Sequence, residues 1–362
     1  MSLTSTLSPL ARTVESSPTD IWNDSCAIDE LEYAIANGAT GATANPTIVH
    51  DAWKQDPTRW AARVVELAEE HPTWSERELA WGVVETMAMA GARLLVPAFE
   101  ASAGRKGRLS VQTDPTLFRD PARMVEQAAA FETVAPNIIV KFPTTRAGIE
   151  AMEEASFRGI SVNATVSFSV AQAVAAAEAV ERGVGRREAA GLPTDSMGPV
   201  ITLMMGRLED WLRVLSERDG IVADPSALPW SGIAAFKQAY GIFRERGFRA
   251  RLLGAAIRHH LHWSELIGGD VVITMPSLWQ RRFNASDVEV RPRIDDPVDP
   301  AIVAELSRFP DFRRAYEPDG LSVDEFDTFG PSARTLRTFI ASYHHLLHAV
   351  SDALIPNPDA AP

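Results

Sequence analysis

The 362-residue chain is 46% apolar and 23% charged, enough to bury a large core and within the length range of one α/β barrel. Its net charge of −13 excludes non-specific nucleic-acid binding, which needs a basic face, but leaves room for a local basic pocket. No run of 18 uninterrupted apolar residues occurs, so no membrane partner is expected; the single cysteine, Cys26, excludes an intrachain disulfide framework and suits a reducing cytoplasm.

Residues 1–17 lack a basic start followed by an apolar core and read as a loose leader. Short apolar, β-branched runs then alternate with longer helical patterns. The expected strands are 20–24 (DIWND), 41–44 (GATA), 108–113 (RLSVQT), 138–141 (IIVK), 160–164 (ISVNA), 199–205 (PVITLMM), 251–256 (RLLGAA) and 270–275 (DVVITM). Eight strands separated by helices is the count for a closed parallel (β/α)8 TIM barrel, since sequential parallel strands need such crossovers. The competing doubly wound sheet would open with a glycine-rich first turn; the nearest thing to one, GVGRREAAG at 183–191, follows a helix. Residues 284–330, rich in Pro, Asp and Arg, read as irregular chain with one short helix at 300–308. Residues 331–354 read as an amphipathic helix and 355–362 as a frayed end. The whole chain reads as one domain.

In a parallel barrel the reactive groups lie at the C-terminal strand ends. In order, these ends carry Asp24; Thr43 and Asn45; Gln112 and Asp114; Lys141; Asn163 and Thr165; Thr202, with Arg207 beyond; and Arg258. The eighth strand offers only Met275 and Ser277. A lysine held in an apolar barrel loses solvation of its ammonium, so its amine becomes available to condense with a ketone. Asp24 can take a proton from a hydroxyl beside the bond being cleaved, and two arginines offer paired donors to a phosphate. Each residue also has a plain reading. Lys141 could snorkel to the surface, Asp24 could cap a helix, Asn45 could serve the turn before Pro46, and the arginines could be surface ion-pair partners.

The local sequences around these positions resemble the transaldolase family. The longest match is VKFPTTRAGIEAMEEASFRGISVNATVSFS (140–169), which resembles the family's lysine motif and the Asn-x-Thr segment after it. IWNDS, GATANPTIV, MGRLEDW, LLGAAIR and GGDVVITMPSLW follow the family's order along the chain. The resemblance implies a Schiff-base enzyme of carbohydrate metabolism, in the pentose phosphate pathway. It would move a dihydroxyacetone unit from sedoheptulose 7-phosphate or fructose 6-phosphate to an aldose phosphate. Sugar phosphates would be its partners, it would need no cofactor or metal, and it would be a cytoplasmic monomer or homodimer. Carried over by position, Lys141 is the Schiff-base lysine and Asp24 the acid/base, with Gln112 and Thr165 completing the catalytic set. Thr43, Asn45, Asn163, Thr202 and Met204 face the sugar, and Arg207 and Arg258 take the phosphate.

The resemblance is imperfect inside the site. Transaldolases carry a glutamate where this chain has Gln112, and an amide cannot accept a proton from water at neutral pH. Related fructose 6-phosphate aldolases have the glutamine but add a sixth-strand tyrosine, and Met204 stands there. Ala256 and Thr202 replace two serines, and EFDTFGP replaces the C-terminal motif. These departures keep open a transaldolase-like aldolase, a specialised-sugar enzyme and a non-catalytic sugar-phosphate binder. Of the eight histidines, His344 and His348 stand one helical turn apart without the glutamate of a metalloprotease motif. The HHLH run at 259–262 could place a histidine at the phosphate.

Overall fold

In the computed structural model, which describes residues 7–355 and 358, eight parallel strands close into a barrel in the order β1 to β8. They are β1 (Asp20–Asn23), β2 (Gly41–Thr43), β3 (Arg108–Gln112), β4 (Ile138–Pro143), β5 (Val162–Thr165), β6 (Val200–Leu203), β7 (Arg251–Gly254) and β8 (Val272–Met275). All eight expected strands are present, with ends moved by a few residues. Helices follow the strands and wrap them, burying Val, Ile, Leu and Ala on both sides of the staves.

Register decides which side chains share the barrel interior, because neighbours along a strand alternate faces and paired residues on adjacent strands point the same way. Gln112 pairs with Lys141, Lys141 with Asn163, Asn163 with Val200, and Val200 with Arg251; Trp22 pairs with Gly41 on one side and Thr274 on the other. Every second residue of each strand therefore joins the interior layers.

The turn after β4 is built tightly. Thr145 caps the next helix, accepting from the Gly148 N–H at 3.0 Å, and a Cβ at Gly148 would lie 1.7 Å from the Pro143 carbonyl oxygen. The Pro-Thr-Thr-Arg-Ala-Gly run thus lets the helix Arg146–Arg158 start directly behind Lys141.

Two expectations need correction. The leader is not loose throughout: Pro9–Ser16 is a helix, capped by Ser8, and Leu10 and Thr13 are buried against the barrel. Trp263 Nε1 donates to Thr13 Oγ1 at 3.2 Å. The Ser-Pro start is an ordinary helix-entry signal that outweighed the polar composition around it. Residues 1–6 lie outside the described residues, as does most of the tail expected to fray. Residues 284–330 hold two short helices instead of one, Pro300–Leu306 and Pro310–Tyr316, each opened by proline. They are held by buried Leu306, Phe309 and Phe312, which pack with Leu212 and Leu215 in a satellite core. The long helix Glu76–Ala101 is apolar and long enough to cross a membrane, and 56% of its most apolar window is buried in this fold. The C-terminal helix spans Gly330–Leu354 and returns across the C-terminal mouth of the barrel.

Candidate active site

That mouth holds a cavity of about 740 Å³, part of it open to solvent. Nine of the expected site residues line it: Asp24, Thr43, Asn45, Lys141, Thr165, Thr202, Met204, Arg207 and Arg258. Lys141 is 5% exposed, and its Nζ donates to the Ala44 carbonyl at 2.9 Å. Burial pushes its amine down to about 8 from an ordinary 10.5, against the opposing pull of the Asp24 charge. The snorkelling alternative fails, since this lysine points into the barrel.

Asp24 follows the last residue of β1, and its Oδ1 accepts from Thr43 Oγ1 at 2.5 Å. Thr43 Oγ1 also meets Thr274 Oγ1 at 2.7 Å, so a hydroxyl chain runs from the carboxylate along the wall. Asp24 caps no helix: the next one begins at Ile28, behind Ala27. Asn45 does both jobs weighed for it. Its Oδ1 accepts from the N–H groups of Thr47 and Ile48 as a helix cap, and it stands in the cavity wall.

Two expected residues do not line the cavity. Asn163 points inward but is fully buried behind the wall, donating to Ser110 Oγ at 2.9 Å and accepting from Thr202 Oγ1 at 2.8 Å. It orients Thr202, which does line the cavity. Gln112 sits beside Lys141 in register, 4% exposed, and its Oε1 has no hydrogen-bond partner among the described residues.

The two arginines differ. Arg207 is largely buried on the first turn of the helix Met205–Arg218. It lies over the Phe339 ring at 5.2 Å and reaches Thr335 Oγ1 at 3.5 Å, both on the C-terminal helix. Burial and the neighbouring Arg258 charge push its pKa down. Arg258 is more exposed and grips Asp210 through Nε at 3.3 Å and Nη2 at 2.8 Å, so the ion-pair reading of this residue holds alongside its place in the cavity. Two cations and the open first turn of a helix thus face one end of the cavity, a natural anion seat. Gly206 is indispensable to this approach, since a Cβ there would fall 1.9 Å from the Ala256 carbonyl oxygen. Ala256 itself sits at φ 63, a strained conformation for alanine that turns the chain sharply after β7.

Behind Arg258 lies a buried polar group. Its backbone N–H donates to His262 Nδ1 at 3.2 Å, so His262 carries its own proton on Nε2, which faces Glu209 Oε2 at 3.8 Å. His259 Nε2 meets the same oxygen at 3.0 Å, and Arg213 donates to Glu209 Oε1 at 2.6 Å. Burial acts to raise the Glu209 carboxyl, but these partners outweigh it and hold it down at about 2; burial and the His259 charge push His262 down to about 3. Glu209, His259 and His262 are the one group of side chains spaced for a metal ion among the described residues. His262 is a brace for the Arg258 backbone through Nδ1; its protonated Nε2 has no hydrogen-bond partner among the described residues and could bind a metal only as an imidazolate.

Several lining residues escaped sequence reasoning. Met275 and Ser277 were the expected contribution of β8, yet Thr274 takes the inward position; its register with Trp22, two residues before Asp24, was the available signal. Phe339, Thr47 and Ile48 come from helices outside the strand-end rule. Cys26 does not become a nucleophile, since burial pushes its thiol up to about 12.

Comparison with known proteins fits this geometry. The sequence profile described as Transaldolase/Fructose-6-phosphate aldolase matches residues 21–311. The chain is 29% identical over 319 residues to a transaldolase of Thiobacillus denitrificans, covering 80% of this chain and 87% of that protein. It is 30% identical over 273 residues to a transaldolase of Neisseria gonorrhoeae and 28% over 269 to one of Neisseria meningitidis, each covering 70% of this chain and 76% of the relative.

Proposed function

Because the chain belongs to the transaldolase/fructose-6-phosphate aldolase family, we propose that it transfers a dihydroxyacetone unit between sugar phosphates through a Schiff base on Lys141. The observation that carries this reading is the Lys141 amine, buried in a cavity wall shared with Asp24 and pushed down to about 8. At neutral pH such an amine is free often enough to attack, whereas an ordinary lysine is almost wholly protonated.

The amine adds to the ketone of fructose 6-phosphate or sedoheptulose 7-phosphate, and water leaves to give an iminium. Asp24 takes the proton of the hydroxyl two carbons away, the carbon–carbon bond between them breaks, and its electron pair flows to the iminium nitrogen, leaving an enamine and a free aldose phosphate. The enamine attacks the aldehyde of an incoming aldose phosphate. Asp24 returns its proton to the new hydroxyl, and water hydrolyses the iminium. The phosphate lies against Arg207, Arg258 and the helix start, while Thr43, Asn45, Thr165 and Thr202 meet the sugar hydroxyls. Asp24 with the Thr43–Thr274 hydroxyls carries the protons, a route that needs no carboxylate at position 112.

Gln112 supports a second reading, a transaldolase-like aldolase that protonates the enamine and releases the three-carbon unit by hydrolysis. Its proton relay would be altered at Met204, which lacks the tyrosine hydroxyl of such aldolases. Fructose 6-phosphate offered with and without an aldehyde acceptor separates the two. Product that forms only with acceptor supports transfer; free dihydroxyacetone without acceptor supports the aldolase.

A further inference from the structure

The barrel has a second mouth. At its N-terminal end a cavity of about 800 Å³, part of it open to solvent, is lined by Trp22, Arg105, Arg108, Arg249 and Arg251 together with chain from Thr194 to Val200. Arg108 and Arg251 are the first residues of β3 and β7 and share the inward parity of the barrel, so this pocket lies at the opposite end of the strands from Lys141. Four arginines line it, against one carboxylate, the exposed Asp195.

Three of those arginines are answered by acids outside the cavity lining. Arg105 and Arg251 share Asp270, Arg251 also reaches Asp20 at 2.7 Å, and Arg249 meets Glu181 and Glu188 at 2.8 Å each. Arg108 is not answered. It is 2% exposed, donates to Ser161 Oγ at 3.2 Å and the Ser196 carbonyl at 2.7 Å, and lies over the Phe99 ring at 5.2 Å. Its Nε has no acceptor among the described residues, and burial lowers its pKa with no carboxylate opposing. Trp22, lining the same cavity, likewise has a buried indole N–H without an acceptor. Both groups lean on glycines: a Cβ at Gly198 would lie 2.5 Å from Arg108 Nε, and one at Gly41 would lie 2.6 Å from Trp22 Nε1.

A guanidinium cannot discharge itself by losing its proton, and a buried charge without a counter-charge is costly. Among the described residues the one uncompensated cation in this pocket is Arg108, and fixed guanidinium planes suit oxyanions above other anions. We infer that the N-terminal mouth of the barrel is a binding site for a small oxyanion, a phosphate or carboxylate group, which supplies the counter-charge that Arg108 lacks. The ion pairs of Arg105, Arg249 and Arg251 hold their guanidinium groups in place around it, and the glycines leave room for Arg108 and Trp22.

The test uses the full chain with 15N-labelled tryptophan and Arg207→Met and Arg258→Met substitutions, which silence the other anion seat. Inorganic phosphate and, in parallel, acetate are titrated at constant ionic strength. The expected result is a saturable rise in melting temperature and a shift of the Trp22 indole resonance (identified by Trp22→Phe) on the same curve. The stronger of the two titrants identifies phosphate or carboxylate as the preferred group. Adding Arg108→Met weakens that affinity at least tenfold. A Trp22 resonance that stays put with both phosphate and acetate overturns the inference, as does an Arg108→Met protein that binds the stronger of the two undiminished. Neither readout involves turnover, so the outcome is independent of the reaction at Lys141.

Discussion

Replacing Lys141 with methionine is expected to stabilise the protein near neutral pH while abolishing the proposed chemistry. The drop of the amine from 10.5 to about 8 corresponds to a penalty of about 3 kcal/mol for holding the ammonium in the barrel. The substitution also removes the hydrogen bond to the Ala44 carbonyl, worth about 1 kcal/mol. A net gain of about 2 kcal/mol remains. The sign follows from linkage: below pH 8 the lysine is charged folded and unfolded, and the whole penalty applies. Between 8 and 10.5 the folded amine is neutral while the unfolded one still binds its proton, so the penalty fades; above 10.5 it is gone. Urea unfolding of both proteins at several pH values across that range reads this directly. The variant should lead at neutral pH and lose its lead as pH rises. A Lys141→Met protein that is less stable at neutral pH, or whose lead does not change with pH, refutes the picture of a desolvated ammonium.

Two further expectations follow from the cavity wall. Asp24→Asn should slow carbon–carbon cleavage by about a hundredfold or more while leaving imine formation at Lys141 measurable by reduction; loss of both together would assign Asp24 to binding instead. His262→Phe removes the acceptor that holds the Arg258 backbone, and should raise KM for a phosphorylated ketose about tenfold with little change for unphosphorylated dihydroxyacetone. Equal losses for both substrates would mean that the brace serves the fold and not the phosphate end.

The barrel was legible because each β-branched run is short, bounded and followed by a helical pattern, and the site was legible because strand ends converge at one mouth. Lys141 and Asp24 could be paired from strand order alone. Thr274 was missed because the last strand residue, Met275, was taken to face the mouth, whereas side chains alternate and the inward one is the residue before it. Phe339 and Thr335 were invisible to strand-end reasoning, since only the tertiary path of the C-terminal helix brings them to Arg207. The helix near the N-terminus is short, and its burial depends on Trp263 and Asn284, distant in sequence. The Glu209–His262 brace needed coordinates for the same reason: its members come from two different strand–helix junctions.

The most direct measurement is borohydride reduction of the protein mixed with fructose 6-phosphate, followed by peptide mass mapping. The account predicts one reduced adduct, carried by Lys141, whose yield rises with pH through about 8 and disappears in Lys141→Met. No adduct in the unaltered protein, or an adduct on another lysine, would contradict it.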